Sequence, residues 1–172
     1  IRYIQIDGVN GIMAFIKLVD HINKIVLYIL AILLAIMSIL VFMQVLVRSF
    51  FVTLSIPWAE EYARYLMIWS IFLGAGVATR KAKLISIDMF VNAIPKHLGQ
   101  TLKYLSHIIT IVFMAIIFVI GISWAKFGLN EFSPATNLPK IYVYLSLSSG
   151  AFLMIINTIA LLIETIVNKQ DI

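Results

Sequence analysis

The chain reads as an all-α integral membrane protein with four transmembrane helices, an interfacial amphipathic helix and both termini in the cytoplasm. Three observations predict this. The 172 residues are 62% hydrophobic and only 12% charged, about half the roughly 25% charge of a soluble domain. The charges avoid four stretches, 25–47, 65–79, 104–125 and 141–163, where even placement would put about ten. Lys and Arg then divide unequally between the two sides that four crossings create, nine against four. Three of the empty stretches reach the roughly 20 residues that a helix needs to cross a bilayer. No stretch alternates as a barrel strand would, so helices must satisfy the backbone in lipid.

The reading divides one membrane domain, 1–172, as follows. Residues 1–24 lead in at the inner interface. Within them, Phe15, Leu18, Val19 and Ile22 mix with Lys17, Asp20, His21 and Lys24, an amphipathic pattern. The chain opens at Ile1, and Met13-Ala-Phe-Ile-Lys is an alternative natural start. The first span, 25–47, is too long for the apolar core of a secretory signal, and no small-residue cleavage site follows it. The second span has only 15 charge-free residues, about 22 Å of rise against a core of roughly 30 Å. Extending it backward from the basic Arg80 and Lys81 gives 60–79. That places Glu60, Glu61 and Arg64 at the outer boundary, where Pro57 suits a first helical turn and acids suit the helix N-terminus. Arg64, three and four residues on, can neutralise one of the two acids.

Residues 84–94 carry an apolar face of Leu84, Ile87, Phe90, Val91 and Ile94. Asp88 and Asn92 lie opposite, continued by Lys96, Gly99 and Lys103. This spacing predicts the interfacial helix, with Pro95 bending the chain before the third span, 104–125. The connection 126–140 is turn-rich, with Asn130, Ser133-Pro134, Asn137 and Pro139. The fourth span is 141–163. Basic residues concentrate at the N-terminus, the second connection and the C-terminus, which places those in the cytoplasm. The net charge of +5 is therefore topological, and nucleic acid is not expected as a partner.

No Asp, Glu, Lys, Arg or Pro lies inside the four charge-free stretches. A transport pathway needs such groups, or broken helices, at mid-depth. Gln44 and Asn157 are the strongest buried-polar candidates, read as interhelical hydrogen-bond formers. The chain has no Cys, and its three His lie at helix ends, so no catalytic residues, cofactor ligands or metal ligands are expected. Ser70, Gly74 and Ala78, and Ser146 and Gly150, repeat at four-residue spacing. Such faces let backbones approach closely, inside the chain or against a partner. Trp58, Trp124 and Tyr142 suit an aromatic belt, while Trp69 lies deeper. Arg80, Lys81 and Lys83 are candidates for phospholipid headgroups.

The order Trp58-x-Glu60-Glu61-x-x-Arg64, then Trp69, Phe72-Leu73-Gly74-Ala75, Arg80 and Asp88 resembles the small membrane (DctQ-like) subunit of tripartite ATP-independent periplasmic (TRAP) transporters. The motif spans about 33 residues, and elsewhere only the layout agrees. Family members often carry a His-Ile pair after the arginine. Here Leu84-Ile85 stands instead, with Lys81 and Lys83 where acidic or small residues are common, so no histidine role carries over. The resemblance implies a multi-pass subunit of the bacterial inner membrane and no enzyme activity. It implies a large membrane partner that holds the substrate and sodium sites, and a periplasmic binding protein that delivers an organic acid such as a dicarboxylate or a sialic acid. Trp58, Glu60, Glu61, Arg64, Trp69, Gly74 and Ala78 become candidates for the subunit interface or for internal structure. The alternatives are a membrane-anchor or haem-binding subunit of a respiratory complex, and a self-sufficient small transporter or channel.

Overall fold

The computed structural model describes residues 2–50, 56–81 and 96–167, with the side chains of 11–50, 56–81, 99 and 101–167. Among the described residues it is all-helical, with α1 (Arg2–Phe50), α2 (Pro57–Lys81), α3 (Lys96–Phe127) and α4 (Ile141–Val167). The expected interfacial helix 84–94, with Asp88, Lys83 and Pro95, lies outside the described residues.

Each helix end has a local cause. Pro57 opens α2, where its missing N–H is not needed, and Ala59 N donates to Ile56 O at 3.2 Å. Glu60 sits in the first turn and Arg80 and Lys81 in the last, matching the helix dipole at both ends. After α3 the chain closes a small hairpin. Ser133 N donates to Leu138 O at 2.9 Å, Asn137 N to Ser133 O at 3.0 Å and Lys140 N to Glu131 O at 2.8 Å. Asn137 takes the left-handed conformation this turn needs, at φ 57°, one that Asn tolerates better than most residues.

The helices pack in the spatial order α1–α2–α4–α3. The central α4 buries small and polar residues, among them Ser146, Ser148, Gly150, Ala151, Asn157 and Ala160. Their small volume sets the helix spacing. A methyl group added at Gly150 would stand 2.7 Å from the Phe72 carbonyl oxygen of α2, and one at Gly76 would meet the Leu153 side chain at 2.6 Å. A short apolar core of Leu30, Val77 and Leu153 joins α1, α2 and α4. α1 and α3 instead expose rows of large apolar side chains, such as Ile32, Ile39, Phe42, Ile109, Val112 and Ile116. A surface of that kind suits lipid rather than water.

Among the described residues, three helices are long and apolar enough to cross a membrane: α1 from Gly11 to Phe50, α3 from Thr101 to Phe127, and α4. The expected fourth, α2, is long enough at 25 residues but more polar. Its 15 charge-free residues are bounded by Arg64 and Arg80, so a longer window always includes a charge. No break separates residues 13–24 from the first span. The helix runs straight through them, and Val19 and Asn23 are buried in the bundle.

The glycine contacts set up a contrast. Gly150→Val must push α2 from α4 and is expected to lower unfolding stability in detergent by about 1–3 kcal/mol. Gly74→Ala, whose added methyl meets nothing within 4 Å, should leave stability unchanged or raise it by about 0.5–1 kcal/mol. Equal losses in thermal or denaturant unfolding would contradict the packing described.

Candidate functional site

Two polar layers bind α2 to its neighbours near the Lys81 end of the bundle. The first is a pair of buried amides, Asn23 of α1 (5% exposed) and Asn157 of α4 (0%). Asn23 Nδ2 donates to Asn157 Oδ1 at 2.6 Å and to Val19 O at 2.8 Å. Asn157 Nδ2 donates back to Asn23 Oδ1 at 2.9 Å and to Gly76 O of α2 at 2.7 Å. All four amide hydrogens are thereby used. Turning either amide over would set oxygen against oxygen, so the network fixes both side chains as well as three helices.

One turn further along α2, Arg80 is clamped between two acids. Its Nε donates to Asp20 Oδ1 of α1 at 2.8 Å and its Nη2 to Glu164 Oε1 of α4 at 2.6 Å. The side chains of Arg80 and Glu164 are only 11% and 14% exposed, while Asp20 is 54% exposed. The two contacts are therefore unequal. The Asp20 contact is screened by solvent and contributes about 1 kcal/mol or less. Removing Arg80 would take a charged partner from the largely buried Glu164 carboxylate, which is more costly. Sequence reasoning places Arg80 at lipid headgroups; here its guanidinium is turned inward, whereas Lys81 is exposed.

The opposite end of α2 is fastened by neutral donors. Glu61 receives the Tyr65 hydroxyl at 2.6 Å and the Thr136 hydroxyl of the hairpin at 3.1 Å. Trp69 Nε1 donates to Tyr142 O at the start of α4, at 2.8 Å. Arg64 pairs with Glu60 rather than Glu61, at 3.2 Å, with both side chains about 60% exposed. Trp58 is exposed and meets Tyr62 edge-on.

The candidate residues of α2 therefore divide by face. Glu61, Trp69 and Arg80 point into the bundle. Glu60, Arg64, Ala78 and Lys81 are exposed, and Gly74 has open space beside its Cα. Asp20, Asn23 and Glu164 join the polar layers without any signal taken from sequence. Glu164 had one available, as the first charge after a 23-residue empty stretch. Asn157 occupies the interhelical hydrogen-bonding position expected of it, while Gln44 is only half-buried. Among the described residues, no group of three or more His, Cys, Asp or Glu is placed to hold a metal. The arrangement orients helices, and its acids are held by donors rather than poised to move protons.

The amide network is expected to act as a unit. Asn157→Leu leaves the Asn23 amide short of partners and should cost about 1–3 kcal/mol of unfolding stability. Asn23→Leu combined with Asn157→Leu should cost clearly less than the sum of the single changes. Strict additivity in a detergent-unfolding cycle would count against a shared network.

This architecture has relatives. The family model for the DctQ component of tripartite ATP-independent periplasmic transporters matches residues 37–168. A Haemophilus influenzae protein named for the small permease of a TRAP transporter is 34% identical over 152 residues, covering 87% of this chain and 92% of the relative. A second protein of that organism, named likewise, is 23% identical over 132 residues, covering 77% and 79%. By the extent of the family match and the identity to the first relative, the chain belongs to the DctQ component family of the tripartite ATP-independent periplasmic transporters.

Proposed function

We propose that this chain is the fixed scaffold subunit of a sodium-coupled importer in the bacterial inner membrane. It crosses four times with both termini in the cytoplasm, α2 included, and carries out no enzymatic reaction. A larger membrane subunit holds the sodium and substrate sites. A periplasmic binding protein delivers the substrate, an organic acid of the dicarboxylate or sialic-acid type. Membership in the family supports a transporter subunit over an anchor or haem subunit of a respiratory complex.

The observation that carries the scaffold reading is the outward face of α2. Glu60, Arg64, Met67, Ile71, Gly74, Ala78 and Lys81 recur at alternating four- and three-residue spacing, which is one face of a helix. That face turns away from α1 and α4. It offers a paired charge at one end, a lysine at the other, and small residues between them. A partner helix can approach closely over Gly74 and Ala78. The same face would be poorly matched to lipid alone, because Glu60 and Arg64 reach the boundary of the apolar core. The inward face of α2 is already occupied by this chain's own helices, which suits a rigid support. Lys81 and Lys83 are proposed to meet phospholipid headgroups on the cytoplasmic side.

Charge reversal tests the face. Arg64→Glu places two acids side by side where one was neutralised, and is expected to reduce both co-purification of the large subunit and substrate uptake by tenfold or more, as about 1.4 kcal/mol of lost contact would do. Because Arg64 is exposed, the variant should fold normally. Uptake and co-purification at the unaltered level would remove this face from the interface.

A further inference from the structure

At the hairpin end of the bundle, α3, the hairpin and α4 enclose a groove of about 430 Å³ lined by Ser123, Trp124, Phe127, Glu131 and Tyr144. Its volume falls in the range of small-molecule sites, roughly 300–1,000 Å³. The Trp124 and Tyr144 rings meet edge-on, 5.7 Å apart. The Ser123 hydroxyl is turned back onto Val119 O of its own helix, which leaves that wall apolar. Glu131 Oε2 accepts from Lys140 Nζ at 3.2 Å and Tyr144 OH at 3.0 Å, while no hydrogen bond to Oε1 is found among the described residues. The Tyr144 hydroxyl, and then Lys140, hold the Glu131 carboxyl below its ordinary range, so it is ionised at neutral pH. Lys140 spends one of its three donors on Glu131.

Depth narrows the occupant. The groove lies where the charge-free stretches 104–125 and 141–163 end, and Lys126, Glu131 and Lys140 are the first charges beyond them. This is the level of lipid headgroups. Below the groove, Ile120, Ile116 and Phe113 continue one exposed apolar column down α3 from Trp124 and Phe127.

We propose that this groove is a phosphatidylethanolamine site. The lipid ammonium meets Glu131 Oε1 beside the aromatic rings, the phosphate meets the free donors of Lys140, and an acyl chain follows the α3 column. Adjacent opposite charges at headgroup depth match a zwitterion. An anionic glycerol headgroup would leave the carboxylate opposed, and a choline headgroup has no N–H to give it. The ring faces add the cation–π attraction that an ammonium favours.

Native mass spectrometry of the purified full chain, offered dioleoyl phosphatidylethanolamine or dioleoyl phosphatidylglycerol, tests the site. The unaltered chain is expected to retain one phosphatidylethanolamine about five- to tenfold better than phosphatidylglycerol, as a hydrogen bond to a charged group implies. Glu131→Gln keeps an acceptor for Tyr144 and Lys140, and should abolish the preference while leaving the thermal unfolding midpoint unchanged. Ser123→Trp fills the groove from its exposed wall and should remove the bound lipid. Equal retention of the two lipids, or an unchanged preference in Glu131→Gln, overturns the proposal. So does an empty groove in the isolated chain that cross-links to the large subunit in the complex, which would make the occupant protein.

Discussion

The contact on which the rest depends is the hydrogen bond from the Asn157 amide to the Gly76 carbonyl. In lipid, helices gain no hydrophobic drive by meeting one another, so packing and interhelical hydrogen bonds must hold them. That bond can form only because small residues let the α2 and α4 backbones come close, at Gly150 against Phe72 and at Gly76 against Leu153. Once the backbones are close, the second amide hydrogen of Asn157 binds Asn23 and draws in α1. The same spacing sets Arg80 between Asp20 and Glu164 one turn away. Packing volume, amide pairing and ion pairing thus follow in sequence from one close approach.

This order explains how the chain manages its most polar helix. α2 brings five charged residues within 25 positions. Two of them, Glu61 and Arg80, face inward: Glu61 accepts from Tyr65 and from Thr136 of the hairpin, and Arg80 pairs with Asp20 of α1 and Glu164 of α4, its Nη1 staying buried without a hydrogen bond among the described residues. The other three, Glu60, Arg64 and Lys81, remain on the outward face. The inward groups make α2 a fixed part of the bundle, and the outward groups leave it something to offer a partner. The Asn23–Asn157 amides and the Arg80–Glu164 pair tie α1, α2 and α4 to one another. That accords with the scaffold role proposed above.

The sequence was most informative where burial and charge are local properties. The helical class followed from the charge-free stretches, and Asn157 stood out because a lone amide inside such a stretch needs a partner. The partners themselves were not legible. Asn23 lies outside any empty stretch and looks like an ordinary polar residue near Lys24, and only the continuous α1 helix carries it into the bundle. Arg80 resembled a headgroup anchor because its neighbours are Lys81 and Lys83, and its acids lie 60 and 84 residues away in the chain. The small-residue repeats in α2 and α4 looked equivalent on spacing alone. In the structure Gly150 is pressed against Phe72 while Gly74 faces open space, a difference that depends on which way each helix is rotated. Spacing gives the face, and only tertiary packing gives its direction.

The central claim is that α2, too polar to qualify as a span by its composition, crosses the membrane because α4 and α1 hold it. The chain contains no cysteine, so single cysteines introduced at Trp58 and Lys81, both exposed, report on its two ends without background. In intact cells, a membrane-impermeant thiol reagent should label Trp58→Cys from outside. It should reach Lys81→Cys only after the inner membrane is opened. Labelling of both positions from the same side would place the two ends of α2 on one face of the bilayer and contradict the account.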